Sequence, residues 1–124
     1  IGDALADLMG DLCIPLGLAV FLVAVILRVA QGSATVALVT TAGLMAPAVA
    51  AAGLNDFQLA AIVLATGAGS VAISHVNDSG FWLVGRLMGM DVPTTLKTWT
   101  VMETAIAVIG FAISAGIFLL AGLL

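Results

Sequence analysis

Between Val101 and Leu124 the chain carries one charged residue, Glu103, in a run otherwise built from Val, Ile, Leu, Ala, Phe, Met, Gly, Thr and Ser. As a helix this run is long enough to cross about 30 Å of hydrocarbon. The whole composition places it in lipid: 63% of residues are hydrophobic and 8% charged, against roughly 25% charged in soluble domains. No water is present in a bilayer core to satisfy free backbone groups, so the segments that cross it must hydrogen-bond internally. The fold class that follows is all-α integral membrane, and 124 residues hold about four or five spans of ~20 residues.

Charge and cysteine content exclude several functions. Seven acids against three bases give a net charge of −4, and without a basic cluster the chain has no grip on nucleic acid or anionic head groups. Cys13 is the lone cysteine, which excludes an internal disulfide and offers no metal or redox motif, so it reads as a packing residue. The chain opens on Ile1 with neither an initiator Met nor a basic n-region. No signal peptide is expected, and the sequence reads as a piece of a longer protein.

Asp3, Asp7 and Asp11 recur at i, i+4 spacing. Like charges stacked on one helix face repel, so the face should meet water rather than hold a cation. Residues 14–30 form the first expected span, with Pro15 near its start and Arg28 near its end. A base near a helix end ordinarily snorkels to the interface, and pairing with a deeper carboxylate is the alternative. Residues 31–53 mix hydroxyls and glycines into the apolar run and read as a re-entrant or broken segment, with Gly32 and Ser33 opening a half-helix whose positive end faces an anion. Close packing by small residues is the competing explanation.

Residues 56–90 read as a discontinuous helix. Asn55-Asp56 suits a turn or cap, with Asp56 as the expected cap. An apolar piece from Phe57 to Thr66 should stop at Gly67-Ala68-Gly69-Ser70, too short to cross the bilayer alone. A polar segment, Ser74-His75-Val76-Asn77-Asp78-Ser79-Gly80-Phe81-Trp82, follows, and a second apolar piece runs from Phe81 to Met90. Helices interrupted by polar groups are how secondary transporters build binding sites at the membrane midplane. Residues 92–124 form an interfacial turn and the last span. Asp91 is a cap candidate and Pro93 lies in the first turn; Lys97, Trp99 and Glu103 mark the head-group level, with Glu103 expected to be a structural interfacial carboxylate pairing with Lys97 or Arg86, and a proton carrier as the alternative.

Ser74, His75 and Asp78 hold the residue types of a hydrolase triad, yet groups this close in sequence rarely converge and no nucleophile elbow is present. One His and one Asp fill too little of a coordination shell for a metal. Proton handling is the better use. Histidine is the side chain that ordinarily changes charge between pH 5 and 8, and burial disfavours the ionised form of a carboxylate such as Asp78, which would let it load and release a proton. A structural His-Asp pair that locks an unwound backbone is the competing role, and the two can coexist. No enzyme and no cofactor follow from these residues.

Three runs carry a resemblance: Leu27-Arg28-Val29-Ala30-Gln31-Gly32-Ser33-Ala34-Thr35-Val36-Ala37, Ser74 through Trp82, and Leu96-Lys97-Thr98-Trp99-Thr100-Val101-Met102-Glu103-Thr104. In order and content the chain resembles the C-terminal part of the gluconate permease family of sugar-acid proton symporters. The resemblance implies a bacterial inner-membrane carrier of gluconate or a related small carboxylate, driven by protons and completed by the rest of the transporter chain, with a second copy of the chain as an optional partner. That family is similar to the wider ion-transporter superfamily, which implies inverted repeats, a re-entrant hairpin and a mobile transport domain. On that analogy Gly32, Ser33 and Thr35 sit at a hairpin tip and meet Ser74 through Ser79. Substrate contacts are then expected from Gly32, Ser33, Thr35, Ser74, Asn77 and Ser79, and proton coupling from His75 and Asp78. The rival reading is a noncatalytic membrane subunit or channel-like protein whose polar residues only pack helices.

Overall fold

The computed structural model describes residues 1–4, 7 and 15–123, and among these every regular element is helical. Five helices follow in order: α1 Leu16–Gln31, α2 Ala34–Ala51, α3 Asp56–Val71, α4 Ser79–Leu87 and α5 Val92–Ala121. Helices α2 and α5 are long and apolar enough to cross a membrane. Asp3 and Asp7 are exposed, while the expectations for Asp11, Cys13 and Ile14 lie outside the described residues.

The chain is apolar on the outside and small or polar within. Ile26, Val39, Val63, Ile109, Ile113 and Leu119 are exposed, whereas the buried set is dominated by Ala and also holds Thr41, Thr66, Ser70, Ser74, Thr95 and Ser114. Lipid tails give no hydrophobic reward for burying one apolar side chain against another, so small residues that let helices approach and hydroxyls that bond across them carry the packing. Ser114 Oγ donates to the carbonyl of Ala61 at 2.6 Å and ties α5 to α3. Phe21 and Phe111 stack with ring centroids 4.4 Å apart, joining α1 to α5.

Helices α1 and α2 fold back on each other through Gly32-Ser33. Val20 and Met45, about equally far from that turn, meet in one cluster with Ala19 and Ile62. Gly32 closes α1 with φ +71, and Ser33 caps α2 by accepting from the Val36 N–H at 3.3 Å. Residues 34–51 form one uninterrupted helix with Pro47 inside it, so of the re-entrant or broken segment expected over 31–53 the backbone break is not what forms. Of its hydroxyl residues Thr41 is fully buried and Thr35 is exposed.

The cap of α3 is Asn55, not Asp56. Asn55 and Gln58 form a capping box, with Gln58 N–H donating to Asn55 Oδ1 at 2.9 Å and Asn55 N–H donating to Gln58 Oε1 at 3.2 Å. Two free N–H groups are thereby satisfied reciprocally. Asn55 Nδ2 also donates to the Ala121 carbonyl at 3.0 Å, which fastens the start of α3 to the end of α5.

Helix α3 runs through Gly67-Ala68-Gly69-Ser70 to Val71 instead of stopping there. Gly69 is a site of close approach: a Cβ on it would lie 2.6 Å from the Phe21 carbonyl oxygen and 2.7 Å from Ala24 Cβ of α1. A Cβ on Gly67 would meet nothing within 4 Å outside its own helix backbone among the described residues. Gly69→Val is therefore expected to separate α3 from α1 and lower the melting temperature in detergent. Gly67→Ala should be neutral or stabilising by up to about 1 kcal/mol, the helix-propensity gain. Equal melting points for the two variants would contradict the assignment of Gly69 as a packing contact.

The discontinuity itself lies at Ala72–Asp78. Ile73 has φ +52, a left-handed conformation that a β-branched residue adopts only under tertiary constraint. The Ile73 N–H donates to Thr104 Oγ1 at 3.3 Å, so α5 supplies part of that constraint.

Candidate functional site

Helix α5 starts with Asp91, whose side chain accepts from the Thr94 N–H at 2.9 Å, and Pro93 follows in the first turn, as the sequence indicates. Five residues later the helix widens into a π-helical turn, Leu96–Thr100. Such turns are rare and recur at functional sites because they re-aim the side chains that follow. Here they bring two consecutive residues onto one target. Trp99 Nε1 donates to Ser74 Oγ at 2.9 Å, and Thr100 Oγ1 donates to the Ser74 carbonyl. Trp99 is thus a structural donor to the interrupted helix, not only a head-group anchor.

Ser74 is fully buried and passes the contact on, since its own hydroxyl donates to Asp78 Oδ2. Asp78 is the cap of α4, accepting from the Gly80 N–H at 3.0 Å through Oδ1. Its Oδ2 also meets Arg28 Nη2 at 2.5 Å. Arg28 is 3% exposed, so it does not snorkel. It sits at the end of α1 and pairs with a carboxylate fifty positions away. The expectation that burial alone governs the charge of Asp78 left out this partner: a guanidinium, a hydroxyl and a backbone N–H all address the carboxylate. An ion pair and hydrogen bonds to a charged oxygen each favour the ionised group over what burial alone dictates.

The turn between α1 and α2 touches the same region. A Cβ on Gly32 would lie 2.2 Å from the Asn77 carbonyl oxygen, and Asn77 Nδ2 donates to the Val29 carbonyl at 2.7 Å. Gly32, Ser74, Asn77 and Asp78 are therefore brought together around Arg28. His75 flanks them with its Nδ1 2.9 Å from the Ile73 carbonyl oxygen. Ser33 is committed to capping α2. Thr35 and Ser79 lie on exposed first turns of α2 and α4. Trp82 Nε1 donates to the Val76 carbonyl at 2.8 Å and closes the break over α4.

Sequence reading did not assign Arg28, Trp99, Thr100 or Thr104 to this centre. The two threonines at i, i+4 are the signal that was available, because a hydroxyl row on a membrane helix marks the face that meets another polar element. Glu103 makes no ion pair with Lys97 or Arg86 among the described residues; the ion pair there is Arg28–Asp78. The described residues hold no group of three or more His, Cys, Asp or Glu able to bind a metal ion.

An apolar exterior, a hydroxyl-rich interior and a helix interrupted at a charged centre define a polytopic helical membrane protein with a polar site inside it. The family model described as GntP family permease matches residues 1–121. The chain belongs to that family. It is 45% identical over 114 residues to the inner membrane permease YgbN of Escherichia coli (strain K12), covering 92% of this chain and 25% of that protein. It is 50% identical over 111 residues to the gluconate permease of Bacillus subtilis (strain 168), covering 89% and 24%. It is 46% identical over 110 residues to the Gnt-II system L-idonate transporter of Escherichia coli (strain K12), covering 89% and 24%. The chain thus spans about a quarter of the length of these relatives. No solved structure matches it significantly.

Proposed function

We propose that this chain is part of a secondary active transporter in the bacterial inner membrane that imports gluconate or a related small sugar acid together with protons. The observation that carries the reading is the Arg28–Asp78 pair at the break between α3 and α4, met by the α1–α2 turn at Gly32. A buried charge pair at an interrupted helix costs stability that a merely structural role does not require, and interrupted helices are where such carriers bind solute. Relatives bearing the names gluconate permease and L-idonate transporter support a polyhydroxy carboxylate as the cargo.

In this reading Gly32, Ser33, Thr35, Asn77 and Ser79 face the solute, Ser74 holds Asp78 in place, and the Arg28–Asp78 centre with His75 forms the locus of proton coupling. The α1–α2 turn acts as a re-entrant hairpin tip, and an inverted repeat of this architecture completes the carrier elsewhere in the full-length protein.

The test is gluconate uptake into proteoliposomes containing the full-length protein, with and without an imposed inward proton gradient. Uptake is expected to saturate and to follow the gradient, and Asp78→Asn to abolish gradient-driven accumulation. Non-saturating flux would favour a channel-like protein. Gradient-driven accumulation by Asp78→Asn would remove the charged centre from the coupling step.

A further inference from the structure

The charged centre contains a third group that the pair does not account for. Glu103 lies on α5, one residue before Thr104, which accepts the Ile73 N–H, and three after Thr100, which donates to the Ser74 carbonyl. Its side chain is half-buried, and among the described residues it has no hydrogen-bond or ion-pair partner. Its turn of α5 meets the break twice, through Thr100 at the Ser74 carbonyl and through Thr104 at the Ile73 N–H. Of the other helices packed on α5, α3 has Asp56 as its one titratable residue, at the far end near Ala121. Arg86 of α4, Lys97 of α5 itself and His75 of the break make no ion pair with Glu103.

Arg28 supplies the independent observation. Only Nη2 reaches Asp78; Nε and Nη1 are buried and have no hydrogen-bond partner among the described residues. A guanidinium left with unmatched N–H groups in a low-dielectric interior is an incomplete site, since burying such donors unpaired is costly. The α5 turn that carries Glu103 therefore meets the same break as the Arg28–Asp78 pair, one guanidinium and one carboxylate, and adds a second carboxylate beside it. With all three ionised the cluster holds one negative charge too many, and one proton neutralises it. A proton on Asp78 would break the pair with Arg28 and strand a buried cation. A proton on Glu103 leaves the pair, the Ser74 bond and the α4 cap intact.

We propose that Glu103 is the residue that binds the transported proton, and that Arg28 is its switch: ionised Glu103 is drawn to the free Nε and Nη1 edge of Arg28, and protonated Glu103 releases it. This assignment rests on the proton-coupled reading above and, within it, puts the transported proton on Glu103 rather than on His75 or Asp78, which keep the roles of neighbour and partner to Arg28. The proton arrives on a Glu103 carboxylate oxygen and leaves from it, with no covalent bond between heavy atoms made or broken. Movement of Glu103 against Arg28 pulls α5 relative to α1 and, through Thr100 and Thr104, relative to the break that faces the solute.

Full-length protein in proteoliposomes tests it with two assays, gluconate exchange without a gradient and gluconate accumulation driven by a proton gradient. Glu103→Gln is expected to keep exchange, to make exchange independent of pH and to let accumulation fall to equilibration. Accumulation by Glu103→Gln at the unmodified level overturns the proposal. If Glu103→Gln is inactive in both assays, Glu103→Asp decides: a displaced pH midpoint of uptake supports the assignment, and an unchanged profile or complete inactivity overturns it. Unmodified protein that ignores the proton gradient overturns the coupling reading itself, and this assignment with it, whereas failure confined to the Glu103 variants leaves that reading standing.

Discussion

Arg28→Met is expected to lower the unfolding free energy by about 3–5 kcal/mol, the cost of leaving one member of a buried ion pair uncompensated. That is a large share of the roughly 5–15 kcal/mol that holds a typical domain together. The reason lies with Asp78. Its carboxylate faces Arg28 at 2.5 Å and is mostly shielded from solvent, so without the guanidinium it must either stay charged in a poor environment or take up a proton. Either outcome weakens the α4 cap and the Ser74 contact that depend on its oxygens. The double variant Arg28→Met/Asp78→Asn should recover much of the loss, because Asn caps a helix about as well as Asp and no charge remains to be matched. Transport should be absent in both. Thermal unfolding of the two variants in detergent, run as a double-mutant cycle with Asp78→Asn, reads the coupling directly. An Arg28→Met protein as stable as the unmodified one would mean that the pair contributes nothing in the folded state.

The existence of this centre was legible in the sequence, but its wiring was not. A stretch with His75, Asn77 and Asp78 inside an apolar chain has few places to go, so an interrupted helix with a polar element from Ser74 to Trp82 followed from the cost of polar groups in lipid, with its stop expected at Gly67–Ser70. The position of the interruption was harder, because glycine has two uses. Gly67 and Gly69 read alike along the chain, yet Gly69 lies against the Phe21 carbonyl and Gly67 against nothing. Only the neighbouring helix distinguishes a breaker from a contact. The same holds for Arg28, whose local context is a helix end and whose partner is fifty residues away. Local sequence placed it at the interface; the return of α3 and α4 beside α1 brought a carboxylate to it. Trp99 gained a contact the sequence did not show, because it lies in the π-helical turn Leu96–Thr100 and its indole N–H donates to Ser74. In residues 31–53 the hydroxyls and glycines pointed to irregular backbone, but an unbroken helix forms with Thr41 buried and Gly43 in open space.

The second large effect falls on Gly32. Gly32→Ala meets two penalties at once. The residue has φ +71, a conformation that costs a residue with a Cβ about 1–2 kcal/mol. The new methyl would also lie 2.2 Å from the Asn77 carbonyl oxygen and 2.7 Å from its carbonyl carbon. That backbone has little room to recede, since Asn77 is fastened to Val29 through its side chain and Asp78 N–H is bonded to the His75 carbonyl at 2.9 Å. Overpacking of this kind typically costs a further 1–3 kcal/mol. The variant should therefore push the α1–α2 turn away from the break, lose gluconate uptake in the full-length protein and unfold at markedly lower temperature. Gly53 supplies the control, for it has φ +62 and a Cβ on it would meet nothing within 4 Å among the described residues, so Gly53→Ala carries the conformational penalty alone. The excess of Gly32→Ala over Gly53→Ala in detergent unfolding measures the contact with Asn77. If the two variants lose the same stability and Gly32→Ala still transports, the turn and the break do not depend on each other, and the solute must be held without the α1–α2 tip.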